Sequence, residues 1–321
     1  MGKNQPLVSI IMPAYNHERF IEESIRSVIA QTYHNIELLI IDDGSKDGTW
    51  AKISALKDEC EHRFVHIDFS NQQNFGTAIT CNKLIEKATG KYICVLASDD
   101  AEKNIIIEHE VEFLETHPNY VLVTGNNEFI DADSKVVGCD EHCNPMPLNE
   151  AKYKTFGEYL KAKYNFVDFD SDAFGNYATL AKTNYIPNGC MWRMSAIRQI
   201  GGFTKEAPLE DWYINMQLAK LGKMKYLNEV LFCYRQHGTN TFRKREYMRE
   251  IAYKTRMYEK NLINLPEYAQ FKPLFEAMNL YQEIKFNLLG LIKFYKEVDL
   301  ADKKKVLEIF GKKFVLSTKP R

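Results

Sequence analysis

Two short, mostly apolar runs, Ile36–Ile41 and Tyr92–Leu96, each stop at a turn dense in carboxylates, Asp42-Asp43-Gly44-Ser45 and Ser98-Asp99-Asp100. Runs of that length, rich in β-branched residues, predict strands buried on both faces, as in parallel sheets covered by helices. Leu7–Met12 predicts the first strand and Pro13–His17 its loop; Glu18–Ala30 follows as a helix burying Phe20, Ile21, Ile25, Val28 and Ile29. A helix beginning near Trp50, a strand over Phe64–Phe69, and helices over 77–88 and 104–115 continue the alternation. Strands are expected at 120–124 and 127–130. Residues 131–184 read as an irregular, polar and aromatic insertion facing substrate. Ile186–Trp192 then precedes a helix at 195–200, the turn Gly201-Gly202-Phe203, and a helix opening at Glu210-Asp211.

Such βαβα order predicts an α/β fold, a doubly wound and mostly parallel sheet flanked by helices. Open sheets of this kind place ligands at the carboxyl ends of their strands, where both acidic turns fall. From about Arg243 the chain reads as helices, with Ile284, Leu288, Leu291, Ile292 and Tyr295 on one face.

Composition narrows the class. The 321 residues are 45% hydrophobic and 26% charged, enough for a full core and against wholesale disorder. Net charge is −1, but residues 241–321 hold 18 Lys and Arg against 10 acids, so an acidic body is followed by a basic tail. That asymmetry suits a metal-bridged anionic ligand in the body and an anionic membrane face at the tail, and it argues against nucleic acid as a partner. Seven scattered cysteines predict reduced, buried thiols without a disulfide framework. With no secretory h-region and no apolar stretch of membrane-spanning length, the expectation is a cytoplasmic protein, peripheral on the inner membrane face through Lys303–Lys305, Lys312 and Lys313 around Leu307, Ile309, Phe310 and Phe314.

The candidate chemistry follows from residue type. Tyr15, beyond Pro13, and Asp43 end neighbouring strands and can together hold a nucleobase, by stacking and by accepting a base N–H. Asp99 and Asp100 offer hard oxygens suited to Mg²⁺ or Mn²⁺ on a diphosphate. Glu210-Asp211, beside Trp212, offers a carboxylate to deprotonate a hydroxyl and an indole to support a sugar ring. Arg235 and His237 can meet phosphate. Helix capping alone also explains each acidic turn taken singly. Cys139-Asp140-Glu141-His142-Cys143 lacks the second cysteine pair of a zinc knuckle. Walker and dinucleotide glycine motifs are missing too.

In order along the chain stand Val8–Asn16, Ser27–Tyr33, Glu37–Thr49, Asn74-Phe75-Gly76, Asn82, Ala88–Ile93, Ser98-Asp99-Asp100, Gly201-Gly202-Phe203, Glu210-Asp211 and Tyr234–His237. Over residues 6–240 this series resembles the family 2 inverting glycosyltransferases of GT-A fold. The resemblance implies a catalytic domain at 1–240, with a nucleotide-sugar half to about 125 and an acceptor half from about 126, followed by a basic helical region at 241–321. It implies a UDP-sugar donor, a glycan or lipid-linked acceptor of bacterial surface-polysaccharide type, and Mn²⁺ or Mg²⁺. Asp211 takes the position of the catalytic base. Pro13, Tyr15, Asn16, Asp43, Asn74, Gly76, Asn82, Asp99, Glu210, Trp212, Arg235 and His237 take substrate-binding positions, and Asp99, Asp100 and His237 those of metal ligands. Ala97 departs from the family's leading aspartate at the fourth strand, which leaves the metal to the acids after it. The competing readings are a nucleotide-sugar- or glycan-binding protein without catalysis, and a sugar nucleotidyltransferase. The latter normally carries a Gly-rich basic loop that Pro13-Ala14-Tyr15-Asn16 does not supply.

Overall fold

A computed structural model describes residues 5–277 and, as backbone strands only, residues 281–288, 292–299, 304–309 and 312–317. The chain divides into two compact units, Met1–Leu262 and Ile263–Arg321. The first unit opens with β1 (Val8–Ala14), α1 (Ile21–Ile29), β2 (Ile36–Asp42), α2 (Thr49–Ala55), α3 (Lys57–Arg63), β3 (His66–Asn71), α4 (Thr77–Lys87) and β4 (Tyr92–Val95). Next come β5 (Ala101–Glu102), α5 (Ile106–Thr116), β6 (Tyr120–Ile130), β7 (Val136–Cys139), β8 (Pro145–Met146), α6 (Phe156–Lys163) and α7 (Tyr177–Lys182). It closes with β9 (Cys190–Arg193), α8 (Met194–Ile200), α9 (Glu210–Leu218), β10 (Lys223–Arg235) and α10 (Arg245–Leu262).

The main sheet runs β3-β2-β1-β4-β9-β6-β10-β5. β1 pairs in parallel with both β2 and β4, and β2 with β3. All seven residues of β2 are buried, five of them apolar, with the Glu37 carboxylate and Asp42 buried among them. Because β1, β2 and β4 run the same way, Tyr15, Asp43 and Asp99 leave the sheet at one edge. The opposite end is fixed by a buried carboxylate: Glu37 accepts from Ser9 Oγ at 2.5 Å, Thr89 N at 2.6 Å and Gly90 N at 3.1 Å. Gly90 has no alternative there, since a Cβ would lie 2.6 Å from Ser9 Oγ and 2.7 Å from Ser9 N.

β10 lies parallel to β6 along its length, and its far end pairs antiparallel with β5 through Phe232–Glu102 and Cys233–Ala101. This short pairing carries Arg235 and His237 back to the Asp99-Asp100 loop, more than 130 residues earlier in the chain. α10 packs against the helices beneath the site. Its buried Glu259 accepts from Tyr177 Oη at 2.5 Å and Gln217 Nε2 at 2.7 Å and pairs with Lys220 at 2.8 Å.

The expected insertion at 131–184 contains β7, β8, α6 and α7 rather than irregular chain, and the two strands expected at 120–130 are one. The second unit contains α11 (Lys272–Ala277), so a helical extension is present in α10 and α11. The helical face expected over 284–295 is not formed. β11 (Tyr281–Leu288), β12 (Ile292–Asp299), β13 (Lys304–Ile309) and β14 (Lys312–Ser317) make an antiparallel sheet there. Ile284 and Leu288 fit a 3.6-residue period, but with Phe286 they fit a two-residue period equally. Leu291, Lys303 and Phe310 lie outside the described residues. No helix among the described residues is long and apolar enough to cross a membrane.

Glu102 on β5 is buried, with Gln31 Nε2 at 3.5 Å as its side-chain partner, and burial pushes its carboxyl up to about 8. A folded-state value above the unfolded one gives stability that is full at low pH and lost as pH rises toward 8. Glu102→Gln is therefore expected to match the parent near pH 5 and exceed it by about 4 kcal/mol at pH 9, read as thermal unfolding at the two pH values.

Candidate functional site

The first β-α loop supplies a histidine anchored through both its backbone and its ring. His17 N donates to Thr49 Oγ1 at 2.9 Å, and its Nδ1 lies 2.7 Å from Ser98 Oγ, which leaves Nε2 facing Asp99 Oδ2 at 3.7 Å. From the end of β10, His237 brings its Nε2 to 2.9 Å from the same oxygen, while its Nδ1 lies 2.8 Å from Thr239 Oγ1. One ligand atom from each of His17, Asp99 and His237 falls within 4.8 Å of the other two. Each imidazole has its second nitrogen held by a hydroxyl, the support that fixes tautomer and ring direction in metal sites. The donor set therefore fits a divalent cation.

The electrostatics agree with that arrangement. Burial works against charge on Asp99, yet the hydrogen bond from His237 and the field of His17 hold its carboxyl below the usual range. Burial lowers His17 despite the nearby Asp99. Asp100 turns the other way. Its Oδ1 accepts from Arg235 N at 2.8 Å, and burial plus the adjacent Asp99 push its carboxyl well above the ordinary value. Of the three expected ligands, Asp99 and His237 share this cluster with His17, whereas Asp100 lines a neighbouring cleft.

Arg235 requires a correction. Its side chain is fully buried, donating to Asp99 O at 2.6 Å, Asp131 O at 3.0 Å, Ser134 Oγ at 2.9 Å and Glu23 Oε2 at 2.6 Å. With its guanidinium committed to protein, it braces the acidic loop rather than meeting phosphate.

At the other end of the edge, Tyr15 stands 44% exposed just past Pro13 of β1. Asn16 adopts the left-handed φ of +54°, and its Oδ1 accepts from Lys46 N at 2.8 Å. It ties the two loops together. Asp43 is buried and accepts from Gln72 Nε2 at 2.8 Å, Phe75 N at 2.9 Å and Gly76 N at 2.8 Å. These donors outweigh burial and lower its carboxyl. Gly76 holds a φ of +88°, and Asn74 is exposed on the same loop. Asn82 spends both side-chain polar atoms on Phe203, at 3.0 and 2.8 Å, and so anchors the Gly201-Gly202-Phe203 turn instead of contacting substrate.

Between these clusters lies a cleft of about 210 Å³ that brings Asp100 together with Glu210 and Asp211, against walls that include Cys81, Ile186, Trp192 and Phe203. α9 buries every residue from Trp212 to Leu218, so its first turn projects both acids into the opening. Asp211 is the more open to water. Its Oδ2 accepts from Asn184 Nδ2 at 2.8 Å and its Oδ1 from Trp212 N at 2.7 Å, and desolvation of the carboxyl among the cleft walls raises it despite these bonds. Burial, with the neighbouring Asp211 adding to it, raises Glu210 to about 7. Trp212 is no sugar platform. It is buried, and its Nε1 donates to Leu180 O at 2.7 Å.

Sequence reasoning missed His17, Asn184, Trp192 and Asn215. For His17 a signal existed, as it closes the loop of a strand whose edge also bears Asp99. Trp192 and Asn215 reach the cleft only through packing, and Asn184 meets it through its hydrogen bond to Asp211. Trp192 Nε1 and Asn215 Oδ1 are buried without a partner among the described residues.

A mixed, largely parallel sheet with acids at the carboxyl ends of its strands and a carboxylate-lined cleft beside a cation-fitting cluster defines the GT-A class of α/β folds. Residues 9–176 match glycosyl transferase family 2. An uncharacterized glycosyltransferase of Haemophilus influenzae is 30% identical over 241 residues, 74% of this chain and 68% of that protein. The Escherichia coli UDP-Glc:alpha-D-GlcNAc-diphosphoundecaprenol beta-1,3-glucosyltransferase is 37% identical over 132 residues, 41% of this chain and 50% of that protein. The chain therefore spans half the length of this second relative. In structure, it resembles the mannosyltransferase of Pyrobaculum calidifontis in complex with GDP-Man and Mn²⁺, with a TM-score of 0.59, 16% identity, and coverage of 86% of this chain and 69% of that one. The chain belongs to glycosyl transferase family 2.

Proposed function

We propose that the protein moves a sugar from a UDP-sugar to a hydroxyl of a glycan or lipid-linked acceptor, by a single displacement that inverts the anomeric carbon. The observation carrying this reading is the meeting of Asp211 and Asp100 on one cleft, next to the His17–Asp99–His237 cluster. Tyr15 offers an exposed ring for the uracil, worth roughly 1–3 kcal/mol in stacking. Asp211 takes the proton of the acceptor hydroxyl. The acceptor oxygen bonds to the anomeric carbon as the carbon–oxygen bond to diphosphate breaks, and the diphosphate leaves with the electron pair. A direct displacement needs no nucleophile from the protein.

His17, Asp99 and His237 would hold the cation, and two imidazoles beside one carboxylate suit Mn²⁺ better than Mg²⁺. Such an ion neutralises charge on a departing diphosphate. Residues up to about 125 serve the donor and 126–240 the acceptor, and the basic residues beyond 241 favour an anionic membrane face where lipid-linked acceptors reside.

The test is UDP release from UDP-glucose, UDP-galactose and UDP-N-acetylglucosamine with Mn²⁺. Turnover of one of them that is abolished by chelator is expected, and His17→Ala should raise the Mn²⁺ needed for half-maximal rate by about tenfold or more. Nucleotide-sugar binding without release would support the binding-protein reading instead. No binding and no release would end the proposal.

A further inference from the structure

The carboxylate assigned as base does not stand alone in the cleft. Asp211 and Asn215 lie one helical turn apart on α9 and so share a face. Asn215 Nδ2 donates to Asn184 Oδ1 at 3.3 Å, and Asn184 Nδ2 donates to Asp211 Oδ2 at 2.8 Å. Asn184 sits in the segment between α7 and β9, where its Oδ1 also accepts from Ile186 N at 3.4 Å. Two side-chain amides thus connect in series to one oxygen of the base, while Trp212 N takes the other oxygen at 2.7 Å.

We infer that Asn184 is a positioning residue for the proton-transfer step, its amide fixed by Asn215 so that it orients the Asp211 carboxylate toward the acceptor hydroxyl. The inference rests on the assignment of Asp211 as base. An amide N–H donates to a carboxylate and favours its ionised form, which a base needs before it can act. The titratable groups around Asp211 give no such help. Glu210 precedes it on the helix, Asp100 and Cys81 share the cleft, and Cys190 on β9 and Tyr234 on β10 feel its charge. All are acids. Support for the charged form comes instead from the backbone N–H groups of the first helical turn and from Asn184. The buried Asn215 Oδ1 without a partner fits a residue retained for what its other atom does.

The experiment measures kcat and KM for the UDP-sugar that turns over fastest in the release assay, from pH 5 to 9, in the parent, Asn184→Leu, Asn215→Ala and Asp211→Asn. Asn184→Leu is expected to lower kcat at pH 7 by about 10–100-fold, leave KM for the donor within about twofold, and move the acid limb of the profile upward by about one unit. Part of the rate then returns at pH 9. Asn215→Ala should act in the same direction with a smaller effect, and it decides the matter where the leucine variant does not fold. An unmoved acid limb, or a loss confined to KM, overturns the role of Asn184. Activity surviving in Asp211→Asn overturns the base assignment itself, a separate failure.

Discussion

Asp211→Asn is expected to fold as the parent does and to lose about 10²–10⁴ of its turnover. The substitution keeps shape and volume, and the new side-chain oxygen can still accept from Trp212 N, so α9 keeps its first turn. What disappears is the only function a base has, an ionisable oxygen able to accept a proton. The parent's pH profile should carry the same message. Desolvation raises the Asp211 carboxyl and brings Glu210 to about 7. A base with a raised value loses activity as pH falls through that value, so the acid limb should sit above the ordinary carboxylate range near 4. A variant with parental kcat, or a flat profile down to pH 4, would remove Asp211 from the chemistry.

The second large effect is on stability. Replacing Arg235 by Leu is expected to cost about 3–5 kcal/mol in chemical denaturation. Four acceptors lose their donor at once, among them the backbone carbonyls of Asp99 and Asp131. The guanidinium also lies 5.0 Å from the centre of the Phe20 ring, a contact that leucine does not restore in kind. Arg235→Lys should recover little, since a point charge cannot reach acceptors spread across a planar fork. A cost below about 1 kcal/mol would show that water takes over these bonds.

The sheet edge was readable because β1, β2 and β4 are mostly apolar runs and the turns that follow β2 and β4 carry Asp and Gly or paired Asp. Asp43, Asp99 and Asp211 stand where strand and helix ends put them, so local sequence carries their location. Orientation is another matter. Asp100 and Asp99 are adjacent and alike, yet one faces His17 and His237 while the other accepts from Arg235 N and looks into the cleft. That choice is set by the β5–β10 pairing, which no local pattern encodes.

Arg235, Trp212 and Asn82 show the converse error. Each has side-chain chemistry suited to a ligand, and each spends it on the protein, because residue type says nothing of burial. β10 escaped notice as a strand because Asn228 and Glu229 interrupt its apolar positions, at the site where its register with β6 shifts. In 281–317, alternation and helical spacing coincide over Ile284 and Leu288, and a single sequence cannot separate them.

The antiparallel clasp between β5 and β10 sets an order on synthesis. His17 and Asp99 leave the ribosome early, but they cannot close a three-ligand cage until the chain has been extended through residue 237. A cation would thus be captured only by a nearly finished polypeptide, and truncated products ending before β10 would carry the acidic loop without its keeper.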